Sequence, residues 1–151
     1  MELTTAMVAD GAHLADGKLY ILGGQWDRLV VAKFPAQHPS MAVALVIKVD
    51  YDEAPAPHAL NVSLMLDGKP MGPSAAGQMT TGHAPGLARG APAFVSLVLP
   101  FSNVTFEAPG RYEWVITIDG EPKGQIPIDV TSVPGLPGAV PDTVPGSPAA
   151  P

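Results

Sequence analysis

Cysteine is absent from all 151 residues, which removes disulfides, thiol nucleophiles and thiolate metal sites at once and leaves the redox compartment open. Charge is scarce: Asp, Glu, Lys and Arg make up 15% of the chain, against about a quarter in an average soluble domain. Cations are scarcer still, with eight Lys and Arg facing fourteen Asp and Glu for a net charge of −6. Those eight (Lys18, Arg28, Lys33, Lys48, Lys69, Arg89, Arg111 and Lys123) stand singly. Phosphate binding needs clustered cations, so nucleic acid is excluded as a partner, and anionic membranes are disfavoured for the same reason. Long apolar runs are also missing. The longest, Met41 to Ile47, is far below a membrane span, so no membrane insertion is expected. The first residues, Met1-Glu2-Leu3-Thr4-Thr5, lack the basic region of a signal peptide. The expected location is therefore cytoplasmic.

What the chain has instead is 46% hydrophobic residues, 18 prolines and 16 glycines. That content suits one domain with a core of its own and an appendage. A surface so thinly charged has two readings: parts of it are covered by other chains, or the composition is simply rich in Ala, Val and Pro.

Turn residues recur at short intervals, and the segments between them alternate. Leu3–Ala9 is an uncharged strand that ends at Asp10-Gly11; Asp16-Gly17 then leads into Lys18–Leu22, and the pair reads as a hairpin. Gly23-Gly24 marks a bulge or bend before Trp26 and Leu29-Val30-Val31. His38-Pro39 reads as a turn. The following run, Met41–Val49, holds the β-branched Val43, Val46, Ile47 and Val49, which favours a strand over a Ser40-capped helix. In His58–Leu66, Leu60, Val62, Leu64 and Leu66 alternate with Asn61, Ser63 and Met65. Residues 70–92 carry five glycines and four prolines and read as a long, functional or mobile loop. Alternation resumes at Phe94–Leu99. It returns at Tyr112, Trp114, Ile116 and Ile118, and again at Ile126, Ile128 and Val130, where Pro127 predicts an edge or a bulge. Pro109-Gly110-Arg111-Tyr112 resembles a tyrosine corner, with a buried ring and a hydroxyl bonded to backbone.

The expected fold is all-β: an antiparallel, Greek-key-like β-sandwich of seven to eight strands over residues 1–131. Residues 132–151, with six prolines, three glycines and one acid, cannot form a core and are expected as an extended or disordered tail.

The motifs Ala9-Asp10, Asp16-Gly17-Lys18-Leu19-Tyr20-Ile21-Leu22-Gly23-Gly24-Gln25-Trp26, His38-Pro39, Pro85-Gly86-Leu87-Ala88-Arg89-Gly90, Pro109-Gly110-Arg111-Tyr112-Glu113-Trp114 and Asp119-Gly120-Glu121 occur in this order. Together they resemble an uncharacterised family of small bacterial, mainly actinobacterial, proteins. The resemblance implies one non-secreted bacterial domain. The family has no assigned activity, so no catalytic residue transfers.

Candidate chemistry is sparse. His13, His38, His58 and His83 are isolated in the sequence, and no two have metal-ligand spacing. Asp50, Asp52 and Glu53 offer hard oxygens, but no second acidic loop completes a Ca²⁺ shell. Gly72-Pro73-Ser74-Ala75-Ala76-Gly77 is one residue too long for a nucleophile elbow. No catalytic residue, metal or cofactor is therefore expected. Trp26, flanked by Gly24-Gln25 and Asp27-Arg28, is the best candidate for an exposed aromatic platform, and Met79, Leu87 and Arg89 are candidates for docking a partner. The leading expectation is a non-catalytic interaction or assembly module, a homo-oligomer or the partner of another protein. The alternatives are a carbohydrate- or small-molecule-binding sandwich and a structural subunit of a larger particle such as a phage virion.

Overall fold

The structure, a computed structural model, describes residues 1–134. Nine strands occur among them and no helix: β1 Glu2–Ala15, β2 Lys18–Gly24, β3 Arg28–Val31, β4 Ala36–Val49, β5 His58–Leu66, β6 Lys69–Met79, β7 Ala93–Phe106, β8 Gly110–Ile118 and β9 Glu121–Ser132. They form two sheets with strand orders β2-β1-β4-β7 and β3-β9-β8-β5-β6. All neighbours are antiparallel except β3, which runs parallel to β9. The sandwich is thus mixed at one edge.

The core lies between the sheets and is built from the period-2 pattern. Tyr112, Trp114, Ile116 and Ile118 of β8, with Val62 and Leu64 of β5 and Ile128 and Val130 of β9, are buried from one side. Met41, Val43, Leu45, Ile47 and Val49 of β4, with Phe101, Val104 and Phe106 of β7, close it from the other. Trp114 stacks on Phe101 at 4.4 Å between ring centres, and Phe106 meets Tyr112 edge-on at 4.9 Å. The Tyr112 hydroxyl donates to the Ala108 carbonyl at 2.9 Å, the bond expected of a tyrosine corner.

Three hairpins turn on Asp-Gly pairs. Asp16-Gly17, Asp67-Gly68 and Asp119-Gly120 all have positive φ at both residues, from 49° to 79°. That is the geometry that matches the right-handed twist of the flanking strands.

Four sequence expectations need correction. The strand begun at Leu3 does not stop at Asp10-Gly11 but runs on to Ala15. His38-Pro39 lies inside β4 rather than in a turn, because the irregularity is absorbed across the pair: Pro39 has no register partner, and Asn103 of β7 takes a positive φ beside it. Of the stretch 70–92 expected as loop, residues 70–79 belong to a ninth strand, β6, which forms the edge of its sheet, a place where proline and glycine are tolerated, and only residues 80–92 connect without a strand. Pro127 lies in β9, which is interior in strand order. However, β3 pairs β9 only from Asp129 onward, so at Pro127 the side away from β8 is free. The expectation of a tail falls on residues that, from 135 on, lie outside the described ones.

The β1–β2 hairpin is more than an edge. β1 pairs with β4 only as far as Ala9, and the stretch from Gly11 to Ala15 pairs with β2 alone. Ala42 and Ala44 of β4 are buried yet stand outside the core cluster, on the outer face of their sheet. β1 and β2 also contact β7 although β4 lies between them in the sheet, and Leu14 and Gly17 line a hollow with Phe94, Val95 and Ser96. The hairpin therefore folds back across the outer face of the sheet. The alanines beneath it are small enough to let a second layer lie close.

Candidate interaction surface

One end of the sandwich brings together His58, Asp119, Glu53 and the Met1 amino group. The β4–β5 turn places Glu53 and Ala54 beside the β8–β9 turn, and the segment after β6 is tied down by Gly82 N–H donating to the Ala54 carbonyl at 2.8 Å. His58 Nδ1 lies 2.7 Å from Asp119 Oδ2, and Nε2 lies 3.0 Å from the Glu53 carbonyl oxygen. Asp119 Oδ1 also accepts from Ala59 N–H at 2.9 Å. Both partners of the ring are acceptors, so the geometry is satisfied when the imidazole donates from both nitrogens, as the cation. In keeping with this, the hydrogen bond to Asp119, then that to Glu53, raises the His58 pKa above its ordinary 6.5, and the same bond to His58 holds Asp119 below 3.8. Glu53 is lowered too, chiefly by the Met1 amino group bonded to its carboxylate.

A His–Asp pair is half of a hydrolytic triad, but here the second nitrogen is occupied by a carbonyl. It therefore has no lone pair free to take a proton. His83 is bonded to no side chain; Nε2 faces the Tyr51 carbonyl at 2.8 Å and the ring stacks on Tyr51 at 3.8 Å. His13 stacks on Tyr20 within the hairpin. Among the described residues no group of three His, Asp or Glu side chains is placed to hold a metal ion. Of the acidic turn, Glu53 is engaged through its carboxylate, and Asp50 through its backbone, its N–H donating to Glu53 and its carbonyl accepting from Glu53 and Ala54 N–H.

The apolar surface is the more distinctive feature. Leu14, Tyr20, Ile21 and Leu22 of the hairpin and Phe94 at the start of β7 are exposed, Leu22 by 75% and Phe94 by 63%. β7 is the edge of its sheet, and none of its fourteen residues is charged. Beside it, between the edges of the two sheets, a hollow of about 140 Å³ is lined by Leu60, Ala75, Gly77, Met79, Leu97 and Leu99. A second hollow near the start of β7 is lined by Thr80, Thr81, Phe94 and Ser96 together with the hairpin tip.

Of the residues singled out in the sequence, Met79 lines the first of these hollows. Leu87 is half-buried and Arg89 exposed in the turns that join β6 to β7. Trp26 does not present a free platform. Its ring packs against the core and tilts over His38 at 5.5 Å, and its indole N–H is buried without a protein acceptor. Phe94 and the hollows escape a reading of the sequence because they depend on which strand ends up at the edge.

The fold and surface define a class: a nine-stranded β-sandwich whose conspicuous surface is an apolar hairpin and an uncharged edge strand. More particularly, the chain belongs to a family described as "Family of unknown function (DUF6941)", whose model matches residues 4–131. No curated protein and no solved structure matches the chain. No helix among the described residues is long and apolar enough to cross a membrane.

Proposed function

We propose that the domain is a non-catalytic protein–protein interaction or assembly module that associates with itself. The observation that carries this reading is β7, fourteen residues without a single charge whose outer side pairs with no strand among the described residues. Monomeric β-proteins blunt such edges with lysines, inward charges or very short strands, because free N–H and C=O groups are a template for another chain. The other edges are better defended: β3 has four residues, β6 carries Lys69, Pro70 and Pro73, and β2 carries Lys18. The exposed hairpin residues add an apolar patch on the same sheet. The occupied ring nitrogens of His58 support the non-catalytic part of the reading. Light scattering after size exclusion, at tens of micromolar, tests it: a defined oligomer is expected, and a clean monomer refutes it.

A further inference from the structure

We propose that β7 pairs antiparallel with β7 of a second copy of this chain about a twofold axis at Ser96, so that the two four-stranded sheets join edge to edge. The inference rests on the self-association proposed above and gives it a strand and a register.

Which groups β7 offers outward follows from hydrogen bonds further inside the sheet. The Val8 carbonyl accepts from Gln25 N–H at 2.7 Å, on the β2 side of β1. A strand residue turns its N–H and C=O to the same side, so Val8 turns away from β4. Val43, its register partner, therefore turns towards β7 and exchanges bonds with Leu99. The register between β4 and β7 is unbroken from Leu99 to Ala93. Val95, Leu97 and Leu99 thus bond inward, while Phe94, Ser96 and Val98 turn their N–H and C=O groups outward. Pro100 shares the outward phase, where its missing donor removes no bond from the sheet. Among the described residues no strand pairs with the outward groups.

That outward edge is symmetric about Ser96. Pro92, directly before the strand, and Pro100 stand four residues to either side of it, and Phe94, Ser96 and Val98 supply the outward donors between them. An antiparallel copy centred on Ser96 sets Phe94 opposite Val98 of the second copy, Ser96 opposite Ser96, and Val98 opposite Phe94. Each pair exchanges two bonds, and the ladder closes at both ends where proline faces proline and no donor is needed. Neighbouring registers are poorer. Centring on Leu97 puts Pro100 opposite Phe94 and leaves the Phe94 carbonyl without a donor. Centring on Val98 does the same to Ser96. The strand is its own best complement.

The side chains fit the same arrangement. A twofold axis perpendicular to the sheet keeps core face with core face and outer face with outer face. On the core side Val95, Leu97 and Leu99 are half-buried against the core cluster. Val95 would lie beside Leu97 of the second copy, and Ala93 beside Leu99. On the outer side Phe94, which is 63% exposed, would lie beside Val98 of the second copy. Such apolar cross-strand pairs stabilise a sheet. Residues near a twofold axis meet their own kind, so a charge there would face a like charge. β7 carries none, whereas Lys18 of β2, Arg28 of β3 and Lys69 of β6 mark the other edges. A hollow bordered by Leu14, Gly17, Thr80 and Thr81 lies against Phe94, Val95 and Ser96, so the described chain does not fill the space there.

Because the chain has no cysteine, disulfide trapping can read the register. The test uses the full-length chain with Ser96→Cys or Val98→Cys introduced singly, oxidised with glutathione disulfide and run on a non-reducing gel. Across the axis the two Cα atoms at Ser96 would be about 5.5 Å apart, within disulfide range. Those at Val98 are offset by four residues, about 13 Å, and cannot be bridged. A third variant, Ser96→Pro, removes the central donors in the phase where Pro100 is already accommodated. The expected result is a dimer by light scattering, with Ser96→Cys trapped and Val98→Cys not. Ser96→Pro should raise the concentration needed for assembly at least about tenfold, with the urea midpoint unchanged where both proteins are monomeric. Trapping of Val98→Cys alone, or of both variants alike, overturns the register. An oligomer that traps neither, or that a folded Ser96→Pro leaves unweakened, has its interface elsewhere; that overturns this inference while self-association stands. If Ser96→Pro does not fold, the trapping pair decides. A wild-type monomer at tens of micromolar overturns this inference and the proposed function together.

Discussion

Trp114→Ala is the sharpest perturbation of the core. Trp114 is fully buried, stacks on Phe101, and lies in register between Leu64 of β5 and Ile126 of β9. A buried indole takes on the order of 200 Å² out of water, which at about 25 cal/mol per Å² is worth roughly 5 kcal/mol. Alanine keeps a small part of that and leaves a cavity, while the lost ring stacking adds about 1 kcal/mol. Against these losses stands the indole N–H, which has no protein acceptor; removing a buried unpaired donor returns about 1–3 kcal/mol. The balance is a destabilisation of about 3–5 kcal/mol, the range typical of large aromatic truncations. Trp114→Phe separates the contributions, since it retains a stacking ring and discards the N–H; it should cost less than about 2 kcal/mol. The assay is urea denaturation followed by far-UV circular dichroism, because tryptophan fluorescence of the variants rests on Trp26 alone and is not comparable with wild type. Both variants must be compared at one protein concentration, since association stabilises the folded state by mass action. An unchanged midpoint for Trp114→Ala would refute the packing argument. A Phe variant as damaged as the Ala variant would show that the N–H is bonded after all.

The His58–Asp119 pair makes stability depend on pH. His58 is raised, so its contribution is complete below 6.5 and fades as pH climbs through the elevated value; Asp119 is lowered, so its contribution is present above 3.8 and is lost on acidification below that. The melting-temperature difference between wild type and His58→Gln should therefore be largest between those two values and shrink above neutrality and with added salt; a difference that grows with pH would contradict the assignment. Tyr112→Phe removes the hydroxyl that bonds Ala108 and should cost about 1–2 kcal/mol in the same urea assay, with no loss meaning that the corner bond does not form in solution. Gly23 has φ of 59°, and a Cβ there would collide with the Asp10 carboxylate. Gly23→Ala should destabilise by about 1–3 kcal/mol, and an Ala variant with wild-type stability would mean that the hairpin root is not strained.

Much of the fold is legible because strands with one face buried write their period into the chain. Tyr112, Trp114, Ile116 and Ile118 alternate with Glu113, Val115 and Thr117, and every member of the first set is buried. Asp16-Gly17 and Asp119-Gly120 announce hairpins, since few other pairs tolerate positive φ at two successive positions. Asp67-Gly68 carries the same signal, but the glycines and prolines after it read as loop and mask it. Those residues form β6 only because the strand is an edge, where a missing donor or a missing side chain is tolerated.

Sequence alone therefore determined the all-β class, the core faces of β5, β8 and β9 and the exclusion of thiol chemistry, because these depend on local periodicity and composition. Tertiary structure decided the rest. That His58 meets Asp119 across 61 residues, that Ala42 and Ala44 lie under a folded-back hairpin, and that β7 rather than β4 is left at the edge all follow from how the two sheets are ordered. Strand order is set by the summed packing of distant segments, and no window of neighbouring residues contains that sum.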